Sequence, residues 1–457
     1  MTGNPAGSRA RTVLAVTAAA TLALTASGCD SSSGTSASSG GVVTITVNDE
    51  PAKTDPVNRK FFLADVAAFE KLHPKIKVVP HEGQMDPQTF AAKLAGGQLE
   101  NVFYVYYTDP AGLIAKHQAA DITPYLSAYP AAQQVKSTLR KVFQDADGHT
   151  YGLPEGNYSM GLVYNRALFR QAGLDPDAPP TTWAEVRADA KKIAALGHGI
   201  TGYGDYSKAN NGGWHFTAEM YSLGGDVAKQ QPDGTWKADF DNATGRTVLT
   251  QLHDMRWTDD SMGQRQLLQW ADLLQMMGAG KLGMYLATAD NIPTIASQYK
   301  GDPKDYGLGP IPGGKGTLAG GGGFMFNPKD TPDQIRAGVA WTMFKYENPD
   351  RITSGDQRAA AAKQPVGLPE PNIWTGAAAA AKTAADKKLA NEPVQNYAPF
   401  QQALPGIPLD LEPPQAQQVY AVLDTVMAKV LTQKDADIDG LLKDASRQVD
   451  SLLAAQQ

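Results

Sequence analysis

Asp147-Gly148-His149-Thr150-Tyr151-Gly152-Leu153-Pro154, then Glu155-Gly156-Asn157-Tyr158-Ser159-Met160 and Gly161-Leu162-Val163-Tyr164-Asn165-Arg166, is the stretch whose reading decides the fold. Asp147-Gly148 lies between extendable residues and marks a tight hairpin turn. Pro154 has no N–H to donate, so it stops a regular ladder. Residues 162–164 read as a buried strand and residues 166–172 as a helix, with Gly173 where a C-cap glycine belongs. The chain thus leaves one compact unit, crosses a gap over residues 154–160, and enters another.

Upstream, residues 42–47 are a β-branched strand. Phe62, Val66, Phe69 and Leu72 recur at helical spacing, and Pro74 ends that helix. Residues 76–79 and 102–106 are further strands, separated by a short helix carrying Phe90 and Leu94. Strand, helix, strand, helix, strand predicts parallel β-α-β units with right-handed crossovers. Downstream, Thr182 and Glu185 form a capping box before a helix over 183–196. The polar run Asn210-Asn211-Gly212-Gly213 reads as mobile and precedes a helix over 214–223. A strand over 280–286 and a glycine-rich strand over 318–327 follow. Two amphipathic helices, over 415–431 and 438–454, close the chain; their apolar positions include Val419, Val422, Val426 and Val430, then Leu442, Ala445, Val449 and Leu452.

A chain of 457 residues accommodates two domains or one large bilobed unit, and 42% hydrophobic content permits real cores. A net charge of −6 argues against a nucleic-acid partner. Residues 1–28 read as a signal peptide: Arg9 and Arg11 form the basic start, residues 13–24 the apolar segment, and Ala26-Ser27-Gly28 the small residues at the cleavage side. The apolar segment falls short of the roughly 20 residues a membrane span needs. The single cysteine, Cys29, excludes an intrachain disulfide. Residues 30–41 are Ser/Gly-rich and read as a flexible tether.

Catalytic motifs fail on inspection. Residues 309–315 nearly spell a phosphate-binding loop, but Gly316 stands where Ser or Thr must hold magnesium. Ser159 lacks the glycine two residues earlier that a nucleophile elbow requires; Asn157 is there. The histidines show no metal-ligand spacing, so no metal, cofactor or catalytic residue is assigned.

The ordered set Asp147-Gly148, Tyr151-Gly152-Leu153-Pro154, Tyr164-Asn165, Leu168-Phe169, Ala172-Gly173 and Pro179-Pro180-Thr181-Thr182-Trp183-Ala184-Glu185 resembles the extracellular solute-binding proteins of ABC importers, in the group that binds sugars. Residues 69–78 and 280–286 carry further parts of the resemblance. It implies an α/β, two-lobed fold like that of the periplasmic binding proteins, each lobe a mostly parallel sheet flanked by helices. Lobe 1 is then 42–157 with 319–366, and lobe 2 is 158–318 with 367–457, joined by crossings near 154–160, 313–320 and 364–369. It also implies a non-enzymatic monomer that captures a mono- or oligosaccharide and docks on membrane permease subunits. Ala26-Ser27-Gly28-Cys29 resembles a bacterial lipobox, which implies a 29–41 tether anchored at the outer face of the cell membrane by a lipid on the Cys29 sulfur.

A sugar offers hydroxyls and apolar C–H faces, so its site needs carboxylates or amides together with rings. Loops at the C-terminal ends of parallel strands supply them. Asp49 and Glu50 follow the first strand, Tyr107 and Asp109 the third, and Asp290 the 280–286 strand; Tyr158 lies in the crossing and Trp214 opens a helix. These seven are the candidate ligand contacts, at positions where the resemblance implies contacts. Each has a plainer alternative: Asp49 and Glu50 as a solvated turn, Asp109 and Asp290 as helix caps, Tyr107 in a helix start, Tyr158 packed in the hinge, Trp214 in the core. Polyamines, amino acids and metal chelates are alternative solutes. A secreted polysaccharide hydrolase and an adhesive surface protein are alternative classes.

Overall fold

The computed structural model describes residues 41–85 and 87–454; the leader and Cys29 lie outside the described residues. One sheet contains β1 (Val43–Glu50), β2 (Ile76–Glu82), β3 (Val102–Tyr106), β4 (Gly152–Ser159), β11 (Thr317–Phe326) and β12 (Leu409–Leu411). A second contains β5 (Gly161–Asn165), β6 (Thr201–Tyr203), β9 (Leu282–Ala287) and β10 (Tyr306–Gly309), and β7 (Ala228–Gln230) forms a hairpin with β8 (Trp236–Ala238). No helix among the described residues is long and apolar enough to cross a membrane.

The first sheet grows from the expected β-α-β units. β1 pairs in parallel with β2 and with β3, and helices Pro56–Leu72 and Pro87–Gly96 make the connections. Phe62, Val66 and Phe69 are buried, and Phe62 and Phe69 meet Trp341 edge-on. Leu72 differs from its expectation: it sits in the last turn and is 65% exposed.

The crossing is more regular than its proline suggests. β4 runs antiparallel to β11, and Met160 is the only residue between β4 and β5. Gly323 pairs with Pro154 and Gly322 with Gly156, so Glu155 is the extra residue of a bulge. A bulge is where a strand tolerates a residue that cannot donate. Gly320, Gly321 and Gly322 on β11 make room for aromatic rings. A Cβ on Gly320 would lie 2.2 Å from the Tyr158 hydroxyl, one on Gly322 1.9 Å from the Tyr104 hydroxyl, and one on Gly321 2.2 Å from the Gly156 carbonyl oxygen.

In the second sheet only β6 and β9 are parallel; β5 runs antiparallel to both β9 and β10. The expected mostly parallel order therefore holds for β1 to β3 and not here. β5 is fed straight from β4 without a crossover helix, and this frees it from the parallel rule. The capping box is present, with Glu185 N–H donating to Thr182 Oγ1 and Thr182 N–H to Glu185 Oε2. Gly173 takes a left-handed φ of 72° behind helix Arg166–Gln171, and Leu174 N–H closes onto the Phe169 carbonyl. Helices Asn211–Ser222, Ala243–Trp257, Ala416–Thr432 and Ile438–Ala454 share one core that includes Phe216, Leu252, Val426, Leu442 and Val449. At the end of the last helix Leu453, not Leu452, turns inward.

The tail departs from the expected division. The resemblance places residues 367–457 in lobe 2, yet Ile373, Trp374 and Ala378 pack with Phe103 and Val105, and Val135 bridges Trp374. β12 joins β11 in the first sheet. Small alanine faces carry no periodic signal strong enough to assign a partner, so this return was invisible in the residues alone.

Candidate functional site

The cleft is built on helix Asn211–Ser222, which starts three residues before Trp214. Its start is held from outside. Asp424, on helix Ala416–Thr432, accepts the Gly212 N–H at 2.7 Å and the Asn210 N–H at 3.3 Å, and Asn210 Nδ2 donates to the Gln417 carbonyl at 3.1 Å. A Cβ on Gly213 would lie 2.3 Å from the Tyr420 carbonyl oxygen, so the glycine lets the two helices touch. The run expected to be mobile is thus anchored, because its orphan helix-start N–H groups found a carboxylate more than 200 residues away.

Trp214 is half-buried as a result. Its indole stacks on Tyr206, with ring centroids 6.4 Å apart at 15°, and meets Tyr158 edge-on at 6.3 Å. The His215 ring lies 4.1 Å from that of Tyr206, and His215 Nδ1 is 2.7 Å from Asp205 Oδ1, both side chains fully buried. A ring backed by a hydrogen-bonded pair of this kind is fixed before any ligand arrives.

These rings wall a chamber of about 270 Å³. Tyr106 and Tyr158 come from the first sheet; Tyr206 and Asp290 follow strands β6 and β9 of the second; Trp214 and Trp270 stand in the first turns of helices Asn211–Ser222 and Trp270–Gly278; Glu412 and Tyr420 close it. Trp270 Nε1 donates to Asn291 Oδ1 at 2.9 Å, and the Tyr420 hydroxyl donates to Glu412 Oε1 at 3.1 Å. Among the described residues that line the chamber there is no Lys, Arg or His. Burial, reinforced by the Glu412 carboxylate, pushes the phenols of Tyr158 and Tyr420 far up, so they stay protonated and able to donate. Burial also pushes Glu412 up to about 7; the Tyr420 hydrogen bond opposes this and Asp109 adds to it.

Three of the seven candidate residues meet here: Tyr158, Trp214 and Asp290. Asp290 does not cap helix Asn291–Tyr299 with its side chain; it accepts from the Thr288 hydroxyl and from Asn291 Nδ2. Tyr107 and Asp109 line a neighbouring cavity instead. The Tyr107 hydroxyl donates to the Gly156 carbonyl at 2.7 Å, and Asp109 Oδ2 accepts the Tyr106 N–H at 3.0 Å. Burial pushes Asp109 up to about 6, against that hydrogen bond.

Asp49 and Glu50 stand apart from the chamber. Asp49 accepts the Tyr346 hydroxyl at 2.8 Å, and Glu50 is buried in an ion pair with Arg59 at 2.8 Å. Their side chains lie away from this chamber and line a separate cavity with Gly83 and Gln84. Sequence reasoning missed Tyr106, Tyr206, Trp270, Glu412 and Tyr420. The loop rule reaches Tyr206, which follows β6, and Trp270 opens a helix as Trp214 does. Tyr106 and Tyr107 face opposite sides of β3 by strand alternation, and the reading chose the inward one. Glu412 and Tyr420 carry no local signal.

A family model described as bacterial extracellular solute-binding protein matches residues 54–346. A binding protein of Brucella abortus (strain 2308) is 26% identical over 287 residues, which are 61% of this chain and 65% of that protein, so the match spans less than two thirds of the relative. A solute-binding protein from Thermotoga lettingae, solved with α-D-tagatose, superposes with a TM-score of 0.69 at 19% identity, covering 90% of this chain and all of the other. A cyclic α-maltosyl-1,6-maltose binding protein from Arthrobacter globiformis gives a TM-score of 0.67 at 20% identity, covering 91% and 100%. These similarities establish the two-lobed periplasmic-binding-protein fold.

Proposed function

The chain belongs to the bacterial extracellular solute-binding proteins, and from that premise we propose that it captures a neutral carbohydrate between its lobes and delivers it to the membrane permease subunits of an ABC importer. The lining of the chamber carries this reading. Six aromatic rings offer faces for C–H surfaces, while Asn210, Asn211, Gln417, Asp290 and Glu412 offer partners for hydroxyls. An anion is poorly served. The described lining has no basic residue, and the Asp424 carboxylate already takes the helix-start N–H groups that would hold one. The ligands named for the two solved neighbours, tagatose and a cyclic maltosyl-maltose, agree with a carbohydrate. A second reading, a cationic solute such as a polyamine, is favoured by Glu412 and Asp290 facing rings without a basic neighbour.

A thermal-shift screen against sugars, polyamines and amino acids separates the two. A solute at a hundredfold excess over its Kd adds roughly 2.7 kcal/mol. Melting shifts confined to polyamines or amino acids would overturn the carbohydrate reading. Closure of the lobes on solute should also reduce the radius of gyration in solution scattering. Sugar hydroxyls donate to a carboxylate, so affinity should fall as pH drops through about 7 and Glu412 takes its proton. Glu412→Gln should flatten that pH profile; an unchanged profile would remove Glu412 from the contacts. Capture without turnover releases no reducing sugar from a panel of polysaccharides.

The anchor is part of the same proposal. A lipid on Cys29 would hold the protein at the outer membrane face, supported by the small residues before it. Cys29→Ser should then lose its partition into detergent; a variant that partitions like wild type removes the anchor.

A further inference from the structure

A separate cavity of about 290 Å³ borders β4 and shares no lining residue with the chamber of rings. Glu155 and Asn157 of β4 line it, together with Glu370 from the segment that follows helix Pro349–Ala361. Its lining holds four carboxylates, Glu155, Asp356, Glu370 and Asp386, against one cation, Lys382. Lys382 is already taken: its Nζ pairs with Asp386 and lies 3.6 Å from Asp356 Oδ2. Lys345, which acts on Glu155 from outside the lining, is held by Asp65 at 3.2 Å. Glu155 and Glu370 have neither an ion pair nor a side-chain hydrogen bond among the described residues. Burial, reinforced by the Asp49 carboxylate, pushes Glu155 up to about 8.

Unpaired carboxylates also occur on solvated rims, and Asn157 is the observation that points to a ligand. It is 8% exposed, and its Oδ1 has no hydrogen-bond partner. A buried amide oxygen without a donor is satisfied equally by a bound cation. The described lining contains no Cys or His, so its donors are oxygens and suit a hard cation rather than a late transition metal. Calcium takes six to eight oxygens in a flexible geometry, waters among them, whereas magnesium demands a tight octahedron. A cavity of this size has room for those waters.

We propose that Glu155, Glu370 and the Asn157 side-chain oxygen form a calcium site, with water supplying the remaining ligands. Bound there, the ion joins the strand that runs into the crossing at Met160 to the segment that carries Glu370. The site is independent of which solute fills the chamber of rings.

Calorimetric titration of the chelator-treated protein with calcium chloride, without solute and at a pH above the Glu155 value of about 8, tests it. A Kd on the order of 10⁻⁴–10⁻³ M is expected, the range of extracellular calcium modules. Terbium, which shares the oxygen preference, should bind in the same place, gain luminescence through Trp374 in the lining, and be displaced by calcium. Glu155→Gln and Glu370→Gln should each weaken calcium by roughly tenfold or more. Neither should lower the melting temperature in the absence of calcium, because each removes an unpaired charge. Asp145→Asn is the control. Asp145, Asp147 and His149 bring ligand atoms within 4.8 Å of one another, but Asp145 is engaged by the N–H groups of Asp147 and His149. That variant should bind calcium like wild type. No binding up to about 10 mM calcium, well above the expected Kd, overturns the site. So does binding that is lost in Asp145→Asn and kept in Glu155→Gln. Melting shifts with spermidine but not calcium, abolished by Glu155→Gln, would give the cavity to an organic cation and overturn the calcium assignment.

Discussion

Trp214→Ala is expected to weaken solute binding by about 2–4 kcal/mol, a Kd increase of roughly thirty- to a thousandfold. The substitution removes the ring that links Tyr206 on one wall to Tyr158 on the other. It also opens the chamber floor to water, which weakens every remaining polar contact. Trp214 is half-buried against the core, so apo stability should fall by less than the roughly 3–5 kcal/mol that truncating a core tryptophan costs. Calorimetric titration and denaturant unfolding of the apo protein check the two halves. Normal binding with a large loss of stability would make Trp214 a core residue, leaving Tyr158 and Trp270 as the platform.

Asp65→Ala should produce the largest loss of stability. Asp65 is 3% exposed on helix Pro56–Leu72 and is met by three cations: Arg351 Nη2 at 2.6 Å, Arg358 Nη1 at 2.8 Å and Lys345 Nζ at 3.2 Å. They come from helices Pro332–Lys345 and Pro349–Ala361, so one carboxylate ties three helices together. Removing it leaves three crowded like charges, one of them largely buried. Breaking such a pair costs about 3–5 kcal/mol, and the lower end is expected because both arginines reach solvent. The pH dependence follows. Burial raises the Asp65 pKa, but Arg358 and Lys345 outweigh it and hold the group below its ordinary value. A depressed carboxylate contributes stability above its unfolded pKa and loses it as pH falls through the folded one. The gap between wild type and variant should therefore close below about pH 4. A gap that persists unchanged in acid would mean that Asp65 acts through packing alone.

The two cases show what local sequence can and cannot carry. The capping box at Thr182 and Glu185, the left-handed Gly173 and the helical face of Phe62, Val66 and Phe69 depend on neighbours within a few residues, and all three are as read. The bulge at Glu155 needed the partner strand: Pro154 announces that a ladder must break, and β11 decides that it breaks by one residue and then resumes. Asp65 looks like any acid on a solvated helix face until helix Pro349–Ala361 folds over it.

The candidate chamber follows the same division. Tyr158 and Trp214 both line the chamber, and a crossing and a helix start are positions where large rings tend to face a cleft. Asp49 and Glu50 fall outside the chamber, and the same loop rule cannot tell that Tyr346 and Arg59 engage them. The alternating and helical periods of the chain determined its elements, its α/β class and the point of crossing near Met160, since these are set by backbone geometry and short-range sterics. Only the tertiary structure decided that Glu412 and Tyr420 close the chamber and that Asp424 fixes the start of helix Asn211–Ser222. The Asp424 contact joins residues 212 positions apart, and the energy of such contacts comes from burial and hydrogen bonding that exist only once the sheets and helices have packed.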